Sequence, residues 1–241
     1  DSASLVLIKN KTGEIISMIN YPSFNPDNRK EIYGNKVQNL VTSSLFEPGS
    51  TIKPFTGYTA LYSGSHNIHD VINTSHGFKL TRNSKLLKDY KNLGFLTLEG
   101  IIEKSSNVGA AIIAKKTKKE HMHNTLKKLD FGNNLYIGLP GSQNGNLKNY
   151  QEWDEALHGT LGYGYGLSTT LLHLANAYAT LANYGKKVEL TYEKRLDNEF
   201  LTEQVLDKDI SKEVLKMMEK AVNSGTGKKA KLKNYSVAGK T

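Results

Sequence analysis

Two periodicities partition this chain, and their order along it limits the folds open to it. Two-residue alternation is confined to the ends. Ser4 to Lys9 and Glu14 to Asn20 are rich in aliphatic and β-branched residues, and they flank Asn10-Lys11-Thr12-Gly13, a turn with glycine where positive φ is needed. Tyr21-Pro22-Ser23-Phe24-Asn25-Pro26 ends this predicted hairpin, because each proline pushes its predecessor away from helix. At the other end, Tyr235 to Thr241 reads as a strand. Helical spacing fills the middle. In Thr169–Asn183 the residues Leu171, Leu174, Ala175, Tyr178, Leu181 and Ala182 share one face, and Gly185 follows as a stop. Ser211 to Val222 predicts a second helix, with Ser211 as N-cap and Val214, Leu215, Met218 and Val222 inward. Ser50 to Tyr62 and Leu98 to Lys116 also read as helices, and Leu126 to Leu129 as the end of a short one before Gly132. Glu31 to Ser44 and Asn133 to Gly159 read as irregular, and Ile72 to Asn92 carries weak strands at best. The economical arrangement is α+β: an antiparallel sheet pairing the first hairpin with the last strand, with helices packed on it.

Composition narrows the chemistry. A chain of 241 residues, 38% hydrophobic and 23% charged, can bury a core as one large domain or two small ones. It has no cysteine, which rules out a disulfide scaffold, a thiolate zinc site and a cysteine nucleophile. The net charge of +9 favours polyanionic neighbours without choosing among them. No apolar stretch approaches the roughly 18 residues of a membrane-spanning helix. Asp1 opens in what reads as a strand and Thr241 closes within an alternating run, so both ends are expected to be cuts in a longer chain.

Three short constellations could carry chemistry. In Glu47-Pro48-Gly49-Ser50-Thr51-Ile52-Lys53-Pro54, a Pro-Gly break precedes a helix start. Ser50 and Lys53 at i and i+3 share a helical face, with Cβ atoms roughly 5–6 Å apart, so the amine can reach the hydroxyl. A serine hydroxyl needs an adjacent base to become a nucleophile. A lysine serves if burial and neighbouring positive charge populate its neutral form. By itself, S-x-x-K is a short pattern that reads first as an N-cap serine and a solvated lysine. Lys104-Ser105-Ser106-Asn107 offers a hydroxyl and an amide, or simple capping. Val237-Ala238-Gly239-Lys240-Thr241 places Lys240 and Thr241 on opposite faces of its strand.

Their co-occurrence in this order is the pattern of penicillin-recognising serine enzymes. The sequence resembles the transpeptidase domain of class B penicillin-binding proteins, most of all the cell-division type. Phe46 to Pro54 is similar to that group's active-serine segment, and Lys104 to Gly109 to its second motif. Gly162-Tyr163-Gly164-Tyr165-Gly166-Leu167, Gly225 to Ala230 and Val237 to Thr241 are similar to its later segments, so the likeness runs over nearly the whole chain. Lys11-Thr12-Gly13 is a second K-T-G, but it precedes the serine and reads as the hairpin turn. Leu40 and Ser44 stand where the family often has Arg and Asp, and Gly141-Ser142 where it often has Gly-Glu.

The resemblance implies a β-lactamase-like fold, an antiparallel sheet flanked by helices with a helical subdomain, and one transpeptidase domain over residues 1–241 cut at the third motif. It implies Ser50 as nucleophile, Lys53 as its base, Ser105 as proton relay, Asn107 as holder of Lys53 and substrate, Lys240 as electrostatic support and Thr241 as carboxylate binder. The substrate would be a peptidoglycan stem peptide ending in D-Ala-D-Ala, with β-lactams as mimics and no metal or organic cofactor. A second oxyanion-hole N–H, a membrane anchor and a pedestal would lie outside this chain, the domain would face the periplasm, and a lipid-II polymerase with other division proteins would be partners. A same-fold carboxypeptidase or β-lactamase, or a non-catalytic penicillin sensor, remains the alternative.

Other signals carry less. His66/His69 and His121/His123 lack an H-E-x-x-H frame and read as loop or surface residues. Gly162, Gly164 and Gly166 read as a flexible loop near the site rather than a phosphate loop. Lys115, Lys116, Lys118 and Lys119 read as a solvated face, and no aromatic–basic module points to nucleic acid.

Overall fold

In the computed structural model, residues 2–31, 35–195 and 200–241 are described. The predicted loop over 31–44 therefore falls partly outside the described residues. The elements run β1 (Ala3–Lys9), β2 (Glu14–Tyr21), α1 (Leu40–Ser43), α2 (Lys53–Tyr62), β3 (Val71–Asn73), β4 (Phe95–Thr97), α3 (Leu98–Lys104), α4 (Asn107–Lys116), α5 (Lys119–Lys128), α6 (Glu155–Leu161), α7 (Leu171–Ala182), β5 (Lys186–Val188), β6 (Thr202–Gln204) and α8 (Lys208–Asn223). The chain divides into two compact units. One comprises Asp1–Phe46, Lys127–Asn146 and Ser168–Val205; the other comprises Glu47–Leu126, Leu147–Leu167 and Leu206–Thr241.

The first unit holds the hairpin. β1 and β2 pair antiparallel with an irregularity between Leu7 and Ile8. The turn closes as its sequence requires. Gly13 takes φ +74°, its N–H donates to the Lys9 carbonyl at 2.9 Å, and the Thr12 hydroxyl donates to Glu14 Oε2 at 2.6 Å. The early K-T-G is thus a structural turn, with Thr12 and Gly13 buried and Lys11 exposed. Val6, Ile8, Ile15 and Met18 turn towards Val41, Leu172 and Leu190. Val41 belongs to α1, a helix inside the stretch read as irregular; Asn39 starts it by accepting the Val41 N–H.

α7 falls within the predicted Thr169–Asn183, with Thr170 as its N-cap and Gly185 at φ +83° beyond its end. Its buried face differs. Leu174 and Leu181 are inward as expected, but so are His173, Asn176 and Thr180, while Leu171, Ala175, Tyr178 and Ala182 are less enclosed. His173 and Asn176 are inward because partners await them. His173 Nδ1 lies 2.7 Å from Thr170 Oγ1 and its Nε2 3.1 Å from the Asn133 carbonyl, and Asn176 Nδ2 donates to Asp130 Oδ2 at 3.0 Å. A buried polar group that keeps its hydrogen bonds loses little on leaving water, and hydrophobic periodicity cannot register this.

The second unit is mainly helical. α2 packs on α4 and α8, α3 on α8, and α4 on α6. Ile52, Phe55, Tyr58, Ile101, Ile102, Val108, Val214, Met217 and Met218 form its interior, each at most 2% exposed. Two predicted helices are redrawn. The helix read over Leu98–Lys116 breaks at Ser105, which is left-handed (φ 59°, ψ 39°), and Ser106 then caps α4 by accepting the Gly109 N–H at 2.9 Å. α8 starts before the predicted cap: the Asp207 carboxylate accepts the Asp209 and Ile210 N–H groups, which leaves Ser211 inside the helix with its hydroxyl donating to the Asp207 carbonyl at 2.6 Å.

The class is mixed α and β as predicted, but among the described residues the sheets are three separate antiparallel pairs, β1–β2, β3–β4 and β5–β6. The expected pairing of the hairpin with the last segment is not made, and Tyr235–Thr241 carries no strand. Isolated contacts hold that segment instead: Ser236 Oγ donates to Glu219 Oε1 at 2.8 Å and the Gly239 N–H to the Met218 carbonyl at 3.3 Å. Among the described residues no helix is long and apolar enough to cross a membrane.

Candidate active site

Five of the six residues singled out in the sequence converge within the second unit. Ser50 sits in a 3-10 turn, Gly49–Ile52, that runs directly into α2. Pro48 precedes this turn, and Thr51 Oγ1 donates back to the Pro48 carbonyl at 2.6 Å. Lys53 is the first residue of α2, and Pro54 lies in the first turn, where its missing N–H costs nothing. The i, i+3 spacing does what the sequence predicts: Lys53 Nζ lies 2.9 Å from Ser50 Oγ.

Lys53 is 1% exposed, yet its amine meets four oxygens. Besides Ser50 Oγ these are the Ser105 carbonyl at 2.7 Å, Asn107 Oδ1 at 2.7 Å and Ser105 Oγ at 3.2 Å. The break between α3 and α4 makes this possible. A continuous helix would carry Ser105 and Asn107 to different faces; the left-handed Ser105 lets its carbonyl, its hydroxyl and the Asn107 amide reach one point. Lys240 approaches from the C-terminal segment and donates to Ser105 Oγ at 2.8 Å and to the Thr241 carbonyl at 2.5 Å. Thr241 stands apart from Lys53; its hydroxyl donates to Thr226 Oγ1 at 2.8 Å.

Burial lowers the pKa of Lys53 from 10.5 to about 7, with the positive charge of Lys240 adding to the effect and Asp89 opposing it. Burial also brings Lys240 down to about 8. At neutral pH a substantial fraction of Lys53 is therefore a neutral amine with two hydrogens and one lone pair. The Ser105 carbonyl and Asn107 Oδ1 can only accept, so they take the two N–H bonds. The lone pair is left for the Ser50 hydroxyl proton. This arrangement can deprotonate Ser50 as its oxygen attacks an electrophile.

Two supports were not legible in the sequence. The first is Asp89, whose carboxylate accepts the Ser106 hydroxyl and the Asn107 N–H. The second is the glycine-rich loop. It is near the site as expected, but it is pinned rather than loose: the Gly49 N–H donates to the Gly164 carbonyl at 3.0 Å, the Gly166 N–H to Glu47 Oε1 at 2.8 Å, and Thr56 Oγ1 to the Gly162 carbonyl at 2.9 Å. The basic run is also partly committed, since Lys115 pairs with Glu155 at 3.6 Å and Lys119 donates to the Trp153 carbonyl. Among the described residues no group of three His, Asp or Glu side chains could hold a metal ion.

A buried lysine amine thus lies between two serines and an asparagine, on a mixed fold of helices and antiparallel strands. The chain belongs to the penicillin-binding-protein transpeptidase domain family, whose model matches residues 3–241. It is 36% identical over 242 residues to peptidoglycan D,D-transpeptidase FtsI of Escherichia coli (strain K12), covering 100% of this chain and 40% of that protein. It is 29% identical to the probable peptidoglycan D,D-transpeptidase PenA of Neisseria gonorrhoeae, again over 100% of this chain and 41% of the relative. The chain thus spans about two fifths of the length of these relatives. Among solved structures, the transpeptidase domain of penicillin-binding protein 3 from Burkholderia pseudomallei superposes with a TM-score of 0.87 at 33% identity, covering 99% of this chain and 68% of that one. A peptidoglycan glycosyltransferase from Burkholderia ambifaria gives 0.89 at 31% identity, over 100% and 72%.

Proposed function

We propose that this chain is the acyl-transfer domain of a peptidoglycan D,D-transpeptidase that cross-links stem peptides during septal wall synthesis. The observation that carries this reading is the Lys53 amine, buried at 2.9 Å from Ser50 Oγ with its other contacts on Ser105 and Asn107. Ser50 Oγ attacks the carbonyl carbon of the penultimate D-Ala as Lys53 takes its proton. The tetrahedral intermediate collapses with cleavage of the peptide C–N bond. The leaving nitrogen of the terminal D-Ala receives a proton through the Ser105 hydroxyl, which Lys53 replenishes. Lys240, against Ser105 Oγ, favours negative charge on that relay. Asn107 commits its Oδ1 to Lys53 and offers its Nδ2 to the substrate amide, and Thr241 binds the terminal carboxylate. The amine of a neighbouring stem peptide then attacks the Ser50 ester, which forms the cross-link and frees the serine. A β-lactam opens its ring on Ser50 and leaves an ester with no departing fragment. The names of the relatives support this reading, as does the order of the motifs. The same reading puts the domain on the periplasmic side of a membrane, held by an anchor and working beside a lipid-II polymerase and other division proteins.

Intact-mass spectrometry after incubation with benzylpenicillin tests it. One added penicillin mass that persists for hours, absent in Ser50→Ala, is expected. No adduct on protein shown to be folded by circular dichroism would overturn the proposal, and a rapidly lost adduct would assign water as the acceptor.

A further inference from the structure

Around Ser50 one carboxylate has no part in the steps above. Asp89 lies between β3 and β4, 17 residues before Ser106, and it is half-buried. Both its oxygens are committed. Oδ2 accepts the Ser106 hydroxyl at 2.5 Å; Oδ1 accepts the Asn107 N–H at 2.6 Å and the Val108 N–H at 3.2 Å. Ser106 is 0% exposed and its oxygen already accepts the Gly109 N–H, so its single proton is directed to Asp89. The carboxylate thereby satisfies N–H groups that α4 leaves unpaired at its positive end. What it clamps is the turn at Ser105, a non-glycine residue in the left-handed region, a strained conformation that persists only where the surroundings enforce it.

We propose that Asp89 is a positioning residue of the acyl-transfer site: by gripping the Ser106 hydroxyl and the first N–H groups of α4, it holds the Ser105 turn in the conformation that sends the Ser105 carbonyl and the Asn107 amide oxygen to Lys53. This rests on the reading of Lys53 as base. Asp89 never touches Ser50 or Lys53 by hydrogen bond; it acts through the two acceptors that take the Lys53 protons and so aims the lone pair. Its charge has a second effect. It favours the protonated form of Lys53, against burial and Lys240. The other charged or titratable side chains along the same cleft as Asp89 are His76, Lys88 and Lys91.

The test compares Asp89→Asn and Asp89→Ala with the wild-type intact protein, by the second-order rate of acylation with a fluorescent penicillin from acid to alkaline pH. Rates are expressed per folded molecule, with folding followed by circular dichroism. Asn keeps the shape and an accepting oxygen but not the charge. Asp89→Ala is expected to lower the rate by about 10²-fold, the scale of a misplaced reacting group. Asp89→Asn is expected to lose less and to move the acidic limb of the rate profile to lower pH, because Lys53 no longer has a negative charge holding its proton. A cap that served stability alone would lower the melting temperature and leave both rate and limb unmoved. That outcome in both variants, with wild type acylating normally, overturns the role of Asp89 and leaves the transpeptidase reading intact. If Asp89→Ala does not fold, Asp89→Asn decides by the same two readouts. Wild type that does not acylate removes the parent reading and this one with it.

Discussion

Gly164 approaches Gly49 so closely that a Cβ built on it would lie 2.0 Å from the Gly49 carbonyl oxygen. The same pair is joined by the Gly49 N–H donating to the Gly164 carbonyl at 3.0 Å, and Gly164 holds φ +90°. Both the contact and the dihedral exclude a side chain, so the turn bearing Ser50 rests on a glycine for two independent reasons. Gly164→Ala is expected to destabilise the protein by about 2–4 kcal/mol, from backbone strain and overpacking together. It is also expected to slow penicillin labelling of the folded fraction by at least about tenfold, because the Ser50 turn must move. Urea unfolding and labelling kinetics check the two effects separately.

Lys53 ties stability to pH with a definite sign. Its folded pKa of about 7 lies below its ordinary 10.5, so between these values the unfolded chain binds more protons than the folded one. Stability therefore rises with pH across this window and is flat below it, at up to about 1.4 kcal/mol per pH unit. Lys240, lowered to about 8, adds a second contribution above that pH. Lys53→Met is expected to abolish the rise between pH 7 and 8 while leaving the Lys240 part above it. Its labelling is expected to fall by at least about 10²-fold, the scale of a lost general base. Denaturant unfolding at a series of pH values reads the first effect, and persistence of the full slope in Lys53→Met would contradict the assignment.

Glu14 gives the opposite sign in the other unit. The Thr12 hydroxyl at 2.6 Å, the Arg195 N–H at 2.8 Å and Lys9 at 3.2 Å hold its carboxyl at about 2, against burial. Its folded pKa is depressed, so the stability it supplies is present above pH 4.5 and lost as pH falls towards 2. Glu14→Gln is expected to melt below wild type at neutral pH, with the difference closing on acidification. A gap that stays constant down to pH 2 would show that packing, and not the charge, is what Glu14 contributes.

Tyr58 separates stability from activity. Its ring is 2% exposed and its hydroxyl oxygen accepts the Asp207 N–H at 2.6 Å, at the start of α8. Tyr58→Phe leaves that N–H without its partner, which costs about 1–3 kcal/mol. Calorimetry should record the loss, while labelling per folded molecule stays at the wild-type level because Ser50 and Lys53 keep their surroundings.

Legibility followed range. The hairpin turn at Gly13, the stop after α7 and the Ser50–Lys53 pair are local, and each was readable because neighbouring residues settle it. The alternation of the last segment predicts a strand, yet no ladder forms and Ser236 and Gly239 bond to α8 instead. The inward face of α7 departs from its hydrophobic periodicity for a related reason. His173 and Asn176 are buried beside partners about 40 and 46 residues away, which no periodicity reports. Asp89 lies in a polar, lysine-rich stretch, and nothing next to it in the chain marks it as the acceptor for a helix start 18 residues on.

By itself the amino-acid sequence determined which side chains are available and in what order: a serine and a lysine one helical turn apart, a serine–serine–asparagine stretch able to cap a helix, and a late lysine–threonine pair. Those are consequences of short-range sterics and hydrogen bonding. The tertiary structure alone decided that Lys53 meets Ser105 across 52 positions and that Lys240 meets the same serine across 135. It alone also decided that burial strips Lys53 of much of its charge at neutral pH. The cost of holding a cation away from water depends on what surrounds it in space, and those surroundings exist only once distant segments have come together.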